Sequence, residues 1–313
     1  AASEARQRAR QAQHRAHHLL ARRAHHRAAR GRYPQAAREM IQRGDYVVPY
    51  FAEQPRYDKP ILFYWAEILS LKTIADNELG GRLPSAVSAI LLVIFCYFLG
   101  QTIGAPVLSA LILATSLEFF VMARLSITDM LLNLCISSTL IIFFLCYTQK
   151  LSNKFLALAS VCAALGVLCK GPVALALPGI IMIIYLLSEK DLLPYFKRVL
   201  PWLPVMGLVF LVIALPWYIA VHYATAGEFT RVFFLEHNLN RYTGVVSGHK
   251  APWWFYLPTF LVGFLPWVIF LPKSIVQCLV NRKQSSHESK LAMFCLIWFL
   301  SVIVFYSIAG TKL

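Results

Sequence analysis

The chain is 313 residues long, 58% hydrophobic and only 14% charged, with a mean hydropathy of +0.59. That is about half the charge of an ordinary soluble domain, which excludes a water-soluble globule. The formal charge of +15 does not mark a nucleic-acid binder, because residues 1–44 hold eleven Arg against two acids, a local +9, and the rest carries only +6.

Residues 1–30 are nearly all Ala, Arg, Gln and His, with the pairs His17-His18 and His25-His26. No apolar stretch follows the basic residues, so this is not a targeting peptide. The segment reads as anomalous, disordered or irregular; a basic arm, a His-rich metal tract or sequence foreign to this region are the alternatives. Residues 31–82 form an outward loop, in which Glu67 and Lys72 interrupt the apolar run 61–75 and predict a helix lying along the membrane interface.

Eight apolar runs follow, near 83–103, 106–123, 128–148, 154–169, 171–187, 200–222, 256–279 and 291–309. A helix crosses the hydrocarbon layer in roughly 20 residues. Only helices satisfy every backbone group in lipid without closing a barrel, and these runs lack the alternation of barrel strands. The predicted fold class is all-α: a polytopic integral membrane protein of about eight transmembrane helices with outward-facing interfacial loops and helices. The seven Cys all lie in apolar runs without a zinc-type spacing and read as buried free thiols.

Lys and Arg collect in loops 149–154, 188–199 and 280–290, which the span count puts on one side. Short basic loops stay cytoplasmic. Residues 45–82, Arg124 to Asp129, the turn at Lys170 and loop 223–255 then face outward, and the residues able to do chemistry are all there. Asp58 beside Lys59 offers a carboxylate and an ammonium at the membrane surface, or simply a surface ion pair. Arg124 and Asp129 sit at membrane depth, where ionisable groups face a cavity or a partner; a mutual ion pair or a helix cap for Asp129 are the plainer readings. Lys170 reads as an anion ligand or as a snorkelling lysine. Loop 223–255 adds His237, Arg241 and His249, and Trp253, Trp254 and Tyr256 read as an interfacial aromatic belt, with stacking on a sugar as the alternative. No Walker loop, GxGxxG run, GxSxG elbow or HExxH helix is present.

An ordered series of short motifs then stands out: Gly31-Arg32-Tyr33-Pro34, Gly44-Asp45-Tyr46-Val47-Val48-Pro49, Tyr57-Asp58-Lys59-Pro60, Arg82-Leu83-Pro84-Ser85, Ala123-Arg124-Leu125 with Thr128-Asp129-Met130, Lys170-Gly171-Pro172, Pro216-Trp217-Tyr218, Glu236-His237 with Arg241, Pro252-Trp253-Trp254 and Gly310-Thr311-Lys312-Leu313. Over residues 31–313 the chain resembles the GT-C membrane glycosyltransferases, in the aminoarabinose transferase branch of the protein O-mannosyltransferase superfamily.

The resemblance implies transfer of a sugar from a polyprenyl-phosphate donor to lipid A or another glycan or protein acceptor, on the periplasmic side of the bacterial inner membrane. It implies Lys59, Lys170 and Arg241 as cations for the donor phosphate and Asp129 as the acidic residue of the cavity. Asp58, where the family more usually has Glu, would hold a divalent metal ion with His237 or His249. Membrane lipids are expected partners and nucleic acid is not. The family's acidic pair before Gly-Arg-Tyr reads Ala29-Arg30 here, its first helix is replaced by the Arg-rich stretch, and residues 83–313 read as a core truncated at the C-terminus. A degenerate or incomplete transferase is the expectation. The alternative from another class is a non-catalytic protein binding polyprenyl phosphate or lipid A headgroups.

Overall fold

The computed structural model describes residues 31–239, 252, 254–284 and 286–308, the side chains of 236–239 and 283 excepted. Helix α1 (Arg32–Arg43) ends at Gly44, whose φ of 70° gives the left-handed cap that returns an N–H to Ile41 O. Glu39 on its buried face ties it to a hairpin of β1 (Tyr50–Phe51) and β2 (Gln54–Pro55), accepting the N–H groups of Ala52 and Glu53 at 3.1 Å each. Both turn residues have positive φ, 54° and 66°. Side chains disfavour that conformation, and the two bonds to a carboxylate offset the strain.

Helix α2 (Leu62–Thr73) occupies the stretch predicted to lie along the interface, and buries Phe63, Tyr64, Ile68 and Leu71. Glu67, one of the two polar residues that had marked this helix as interfacial, is turned inward and fully buried, while Lys72 is exposed and donates to the Tyr46 hydroxyl at 2.7 Å. The Asn77 side chain then caps α3 (Glu78–Gln101) by accepting from the Leu79 and Gly80 N–H groups.

The remaining helices are α4 (Pro106–Thr115), α5 (Leu117–Met122), α6 (Thr128–Tyr147), α7 (Leu156–Lys170), α8 (Val173–Ser188), α9 (Leu192–Val199), α10 (Leu203–Ala224), α11 (Glu228–Arg231) followed by a π-helix (Val232–Leu239), α12 (Tyr256–Gly263), α13 (Leu271–Val280) and α14 (His287–Ile308). All eight predicted runs are helical, but not all are continuous spans. Among the described residues five helices are long and apolar enough to cross a membrane, and a sixth crossing results if the segment 256–280, bent by 108°, counts as one. The runs at 106–115 and 173–188 form shorter apolar helices. The run 106–123 is divided at Ser116, which is extended.

The two interruptions brace each other. Leu117 N–H donates to Leu265 O at 3.1 Å and Trp267 Nε1 to Thr115 Oγ1 at 2.8 Å, joining the break after α4 to the bend after α12. Helix α6 is the central strut, with two thirds of its apolar window buried, whereas the run 192–224 buries only 11% and turns its apolar face to lipid. All seven cysteines are free, four of them buried and Cys295 on the exposed surface.

The three basic loops meet at one end of the bundle, over a cluster of rings. Phe144 stacks on Phe294 at 4.9 Å, Tyr147 meets Tyr185 and Tyr195 at 5.4 and 5.3 Å, and His287 lies 5.5 Å from Phe144. At the other end, Ala36, Met40, Ile61, Tyr64, Trp217 and Phe229 form a second core that seats α1 and the 45–60 loop on the helices. Trp217 Nε1 pins that loop by donating to Val47 O at 3.1 Å.

Candidate functional site

The turn Arg124 to Ile127 runs into extended backbone at Ile127 and then into α6, which places Asp129 in the first helical turn. A carboxylate there meets the positive end of the helix dipole, and a cation at a helix C-terminus meets the negative end. Lys170 is the last residue of α7. The two helices run antiparallel, so both favourable placements fall together: Lys170 Nζ donates to Asp129 Oδ1 at 2.5 Å. The lysine is 17% exposed and the aspartate 49%, so the pair is open on the carboxylate side. Gly171 permits the turn, with φ of 89°, and a Cβ there would lie 2.5 Å from the Phe233 ring of the π-helix.

The 55–60 loop supplies a second charged group. Arg56 Nε and Nη2 donate to Asp58 Oδ1 and Oδ2 at 2.6 and 2.8 Å, the two-pronged geometry that fixes a guanidinium on a carboxylate. Lys59 Nζ donates to the Asp58 carbonyl at 2.9 Å. The Arg56 guanidinium lies 4.9 Å from the Tyr33 ring centre. Tyr33, within hydrogen-bonding reach of the Thr128 hydroxyl, joins this loop to the Asp129 turn. Burial, with Asp58 adding to it, pushes its hydroxyl up to about 12, so it is a neutral donor at physiological pH.

The two groups share one end of the bundle. Lys59, Lys170 and Asp129 all act electrostatically on the buried Cys169, and Tyr306 of α14 sits close to both Lys170 and Asp129. Tyr57 donates to Glu228 Oε2 at 3.2 Å, which brings the start of the 223–255 loop to the same place. Of the residues singled out in the sequence, Asp58, Lys59, Asp129 and Lys170 are therefore neighbours. Arg241 and His249 lie outside the described residues, as does the side chain of His237.

Among the described residues no three His, Cys, Asp or Glu side chains converge as a metal set. Both Asp58 oxygens are held by Arg56, so the donors described here do not fit a divalent ion. Arg56, Lys59 and Lys170 meet the carboxylates of Asp58 and Asp129 there, with Glu228 held close by Tyr57.

Sequence reasoning missed Arg56, Tyr33 and Tyr306 as members of the site. The local signals were a basic residue two positions before Asp58 and the place of Tyr33 in the Gly31-Arg32-Tyr33-Pro34 motif. The ion pair considered between Arg124 and Asp129 does not form, since Asp129 pairs with Lys170 and Arg124 lies 3.8 Å over the Phe120 ring. Arg124 instead lines a separate polar cavity of about 500 Å³ with Arg38, Arg82, Asp76, Glu78 and Ser126. Ser126 Oγ donates at 2.5 Å to Glu67 Oε1, while Glu67 Oε2 is buried without a partner among the described residues. Burial pushes this carboxyl up to about 8, against the opposing effects of Ser126 and Arg38, so it stays largely protonated at neutral pH.

Long apolar helices carrying a cluster of fixed charges at one end define a multi-pass α-helical membrane protein. Residues 58–219 match the family model described as dolichyl-phosphate-mannose-protein mannosyltransferase, and the chain belongs to that family. It is 31% identical over 284 residues to the undecaprenyl phosphate-alpha-4-amino-4-deoxy-L-arabinose arabinosyl transferase of Aeromonas salmonicida, covering 88% of this chain and 50% of the relative. It is 30% identical, with the same coverage, to the protein of that name from Pectobacterium atrosepticum. The fold is similar to the crystal structure of ArnT from Cupriavidus metallidurans bound to undecaprenyl phosphate, with a TM-score of 0.81 and 26% identity over 91% of this chain and 51% of the other. The chain thus spans about half the length of the curated relatives it matches.

Proposed function

We propose that this chain acts as a glycosyltransferase that moves a sugar from a polyprenyl-phosphate donor to lipid A or a comparable glycan or protein acceptor. The observation that carries the reading is the meeting of the Lys170–Asp129 pair with Arg56 and Lys59 at one end of the bundle. The relatives named as undecaprenyl-phosphate arabinosyl transferases, and the similar structure bound to undecaprenyl phosphate, support it. The opposite end carries the basic loops, which supports an inner-membrane orientation with the site on the periplasmic side.

In this reaction the bond from the anomeric carbon to the donor phosphate oxygen breaks, and its electron pair stays on the lipid phosphate. Charge grows there, and cations already in position stabilise it without reorganisation. Lys59, Lys170 and Arg241 are assigned to that phosphate. When the phosphate takes Lys170, the Asp129 carboxylate is released from its ion pair and becomes the catalytic base for an acceptor hydroxyl. An acceptor that is itself a phosphate needs less of this help. A divalent ion on Asp58 with His237 and His249 remains part of the proposal only if Arg56 gives up the carboxylate, and no step is drawn through it.

The test uses membranes containing this chain and a radiolabelled polyprenyl-phosphate sugar. Lys59→Ala is expected to lower transfer by roughly 100-fold or more, the usual size for removing a fixed charge-stabilising group. Equal, nonzero transfer by both proteins would overturn the phosphate assignment.

A further inference from the structure

Next to the Asp129 turn lies the polar cavity of about 500 Å³, walled by α1, the start of α3 and residues 124–127. No part of the proposed reaction uses it. The partition between cavity and site is thin. Ile127 lines the cavity and Asp129 follows two residues later, at most about 7 Å along the chain. Gly31 and Pro34 line it too, while Tyr33 between them reaches the Thr128 hydroxyl beside Asp129. The turn is pinned by Ser85 Oγ, which donates to Ile127 O at 3.2 Å.

Two buried donors there lack an acceptor. Arg38 Nε donates to Asp76 Oδ1 at 2.5 Å, but its Nη1 is buried without a partner among the described residues. Glu67 is fully buried behind the wall, and its Oε2 lies 3.7 Å from where a Cβ on Gly81, a lining residue, would stand. Ser126 Oγ donates to Oε1, so the proton of the neutral carboxyl sits on Oε2, the oxygen without a partner. An oxygen acceptor entering from the cavity satisfies both donors. Arg124 lines the same space, has no carboxylate partner among the described residues, and is fixed by the Phe120 ring 3.8 Å away. Asp76 and Glu78 pair with Arg38 and Arg82 but are mostly exposed. Such pairs are worth little, so an incoming anion can take both guanidiniums.

We propose that this cavity seats a phosphorylated sugar, the headgroup of the acceptor, with its phosphate on Arg38, Arg82 and Arg124 and its sugar toward the Asp129 turn. Guanidinium forks match the oxygens of a phosphate. The volume selects a headgroup over a bare ion, since it falls within the roughly 300–1,000 Å³ of small-molecule pockets. The lining selects it over a bilayer phospholipid: only Pro34, Leu125 and Ile127 are apolar there, which leaves no bed for acyl chains. That the ligand is the acceptor rests on the proposed transferase reading; the anion site itself does not.

The test is equilibrium dialysis of the purified chain in detergent, without donor, against a radiolabelled phosphorylated glucosamine disaccharide. The wild-type chain is expected to bind it roughly tenfold or more tightly than the unphosphorylated disaccharide. Arg82→Gln and Arg124→Gln, both at exposed positions, should each weaken binding about tenfold, the worth of one hydrogen bond to a charged group, at an unchanged melting temperature. Lys72→Gln removes an exposed cation outside the cavity and should bind as the wild-type chain does. Equal binding of the two disaccharides, or equal losses in Lys72→Gln and Arg124→Gln, would overturn the inference. So would displacement at equal concentration by inorganic phosphate or by dihexanoyl phosphatidylglycerol, which would leave an adventitious ion site only or give the cavity to bilayer lipid. Binding is read without turnover, so the two readings fail separately. If the chain binds the phosphosugar but transfers no label, the anion site stands and the transferase reading falls; if Arg124→Gln transfers label with an unchanged acceptor KM, this site falls and the transferase reading stands.

Discussion

Where α6, α7 and α14 approach the Lys170–Asp129 pair they meet through charges; at their opposite ends α6, α8, α9 and α14 meet through interlocked rings. Phe143, Phe144, Tyr147, Tyr185, Tyr195 and Phe294 touch one another edge to face, tilted or stacked, and all six are buried. Rings packed in this way have no alternative partner, so that end sets the helix positions. An ion pair with a half-exposed carboxylate does have an alternative, because an incoming anion can take the lysine. The contrast is between a region that holds the bundle and a region free to trade contacts with a substrate.

The comparison can be broken most sharply at the ring end. Phe144→Ala empties a fully buried position, and is expected to cost about 3–5 kcal/mol, read as a lower melting temperature in detergent with the residual folded fraction still active. At the charged end the order of effects should reverse. Lys170→Ala leaves the packing intact and is expected to lower transferase activity about 100-fold, with a melting temperature close to that of the wild-type chain. A large stability loss without a change in rate per folded molecule would show that the pair is structural.

At the charged end, behind the Arg124–Ile127 turn, sits Glu67. Its carboxyl is raised by burial from an ordinary 4.5 to about 8. Between those values the unfolded chain gives up the proton and the folded chain keeps it, so stability is highest below pH 4.5, falls as pH rises, and levels off above about 8. Glu67→Gln should remove the slope, leaving the variant more stable than the wild-type chain at pH 8 by a few kcal/mol, as a melting series from pH 5 to 9 would show. The smallest effect belongs to the Arg38–Asp76 pair, whose aspartate is 65% exposed. Asp76→Ala is expected to change stability by about 0.5 kcal/mol or less.

The helical membrane fold was legible in the sequence because lipid leaves so few options for a long apolar run. The breaks were not. Ser116 lies inside an unbroken apolar stretch and the bend after Gly263 is marked only by Pro266, while the hydrogen bond from Leu117 to Leu265 that joins the two breaks is reported by no local pattern. Asp129 and Lys170 were both visible as ionisable residues at membrane depth, but 41 residues separate them and only the antiparallel helices make them a pair. Arg56 was passed over because a loop arginine looks like any other until its fork is seen on Asp58. Glu67 misled in the opposite way: a charge inside an apolar run was read as facing water, and the fold buries it against Ser126.

The bond from Leu117 to Leu265 also bears on how the chain enters the bilayer. Residues 106–122 leave the ribosome long before residue 265, and until then the Leu117 N–H lacks the carbonyl that completes it. An unsatisfied backbone group in hydrocarbon costs several kcal/mol. The backbone of the earlier segment is therefore completed only once its later counterpart has been made, and the order of synthesis is not the order of settling.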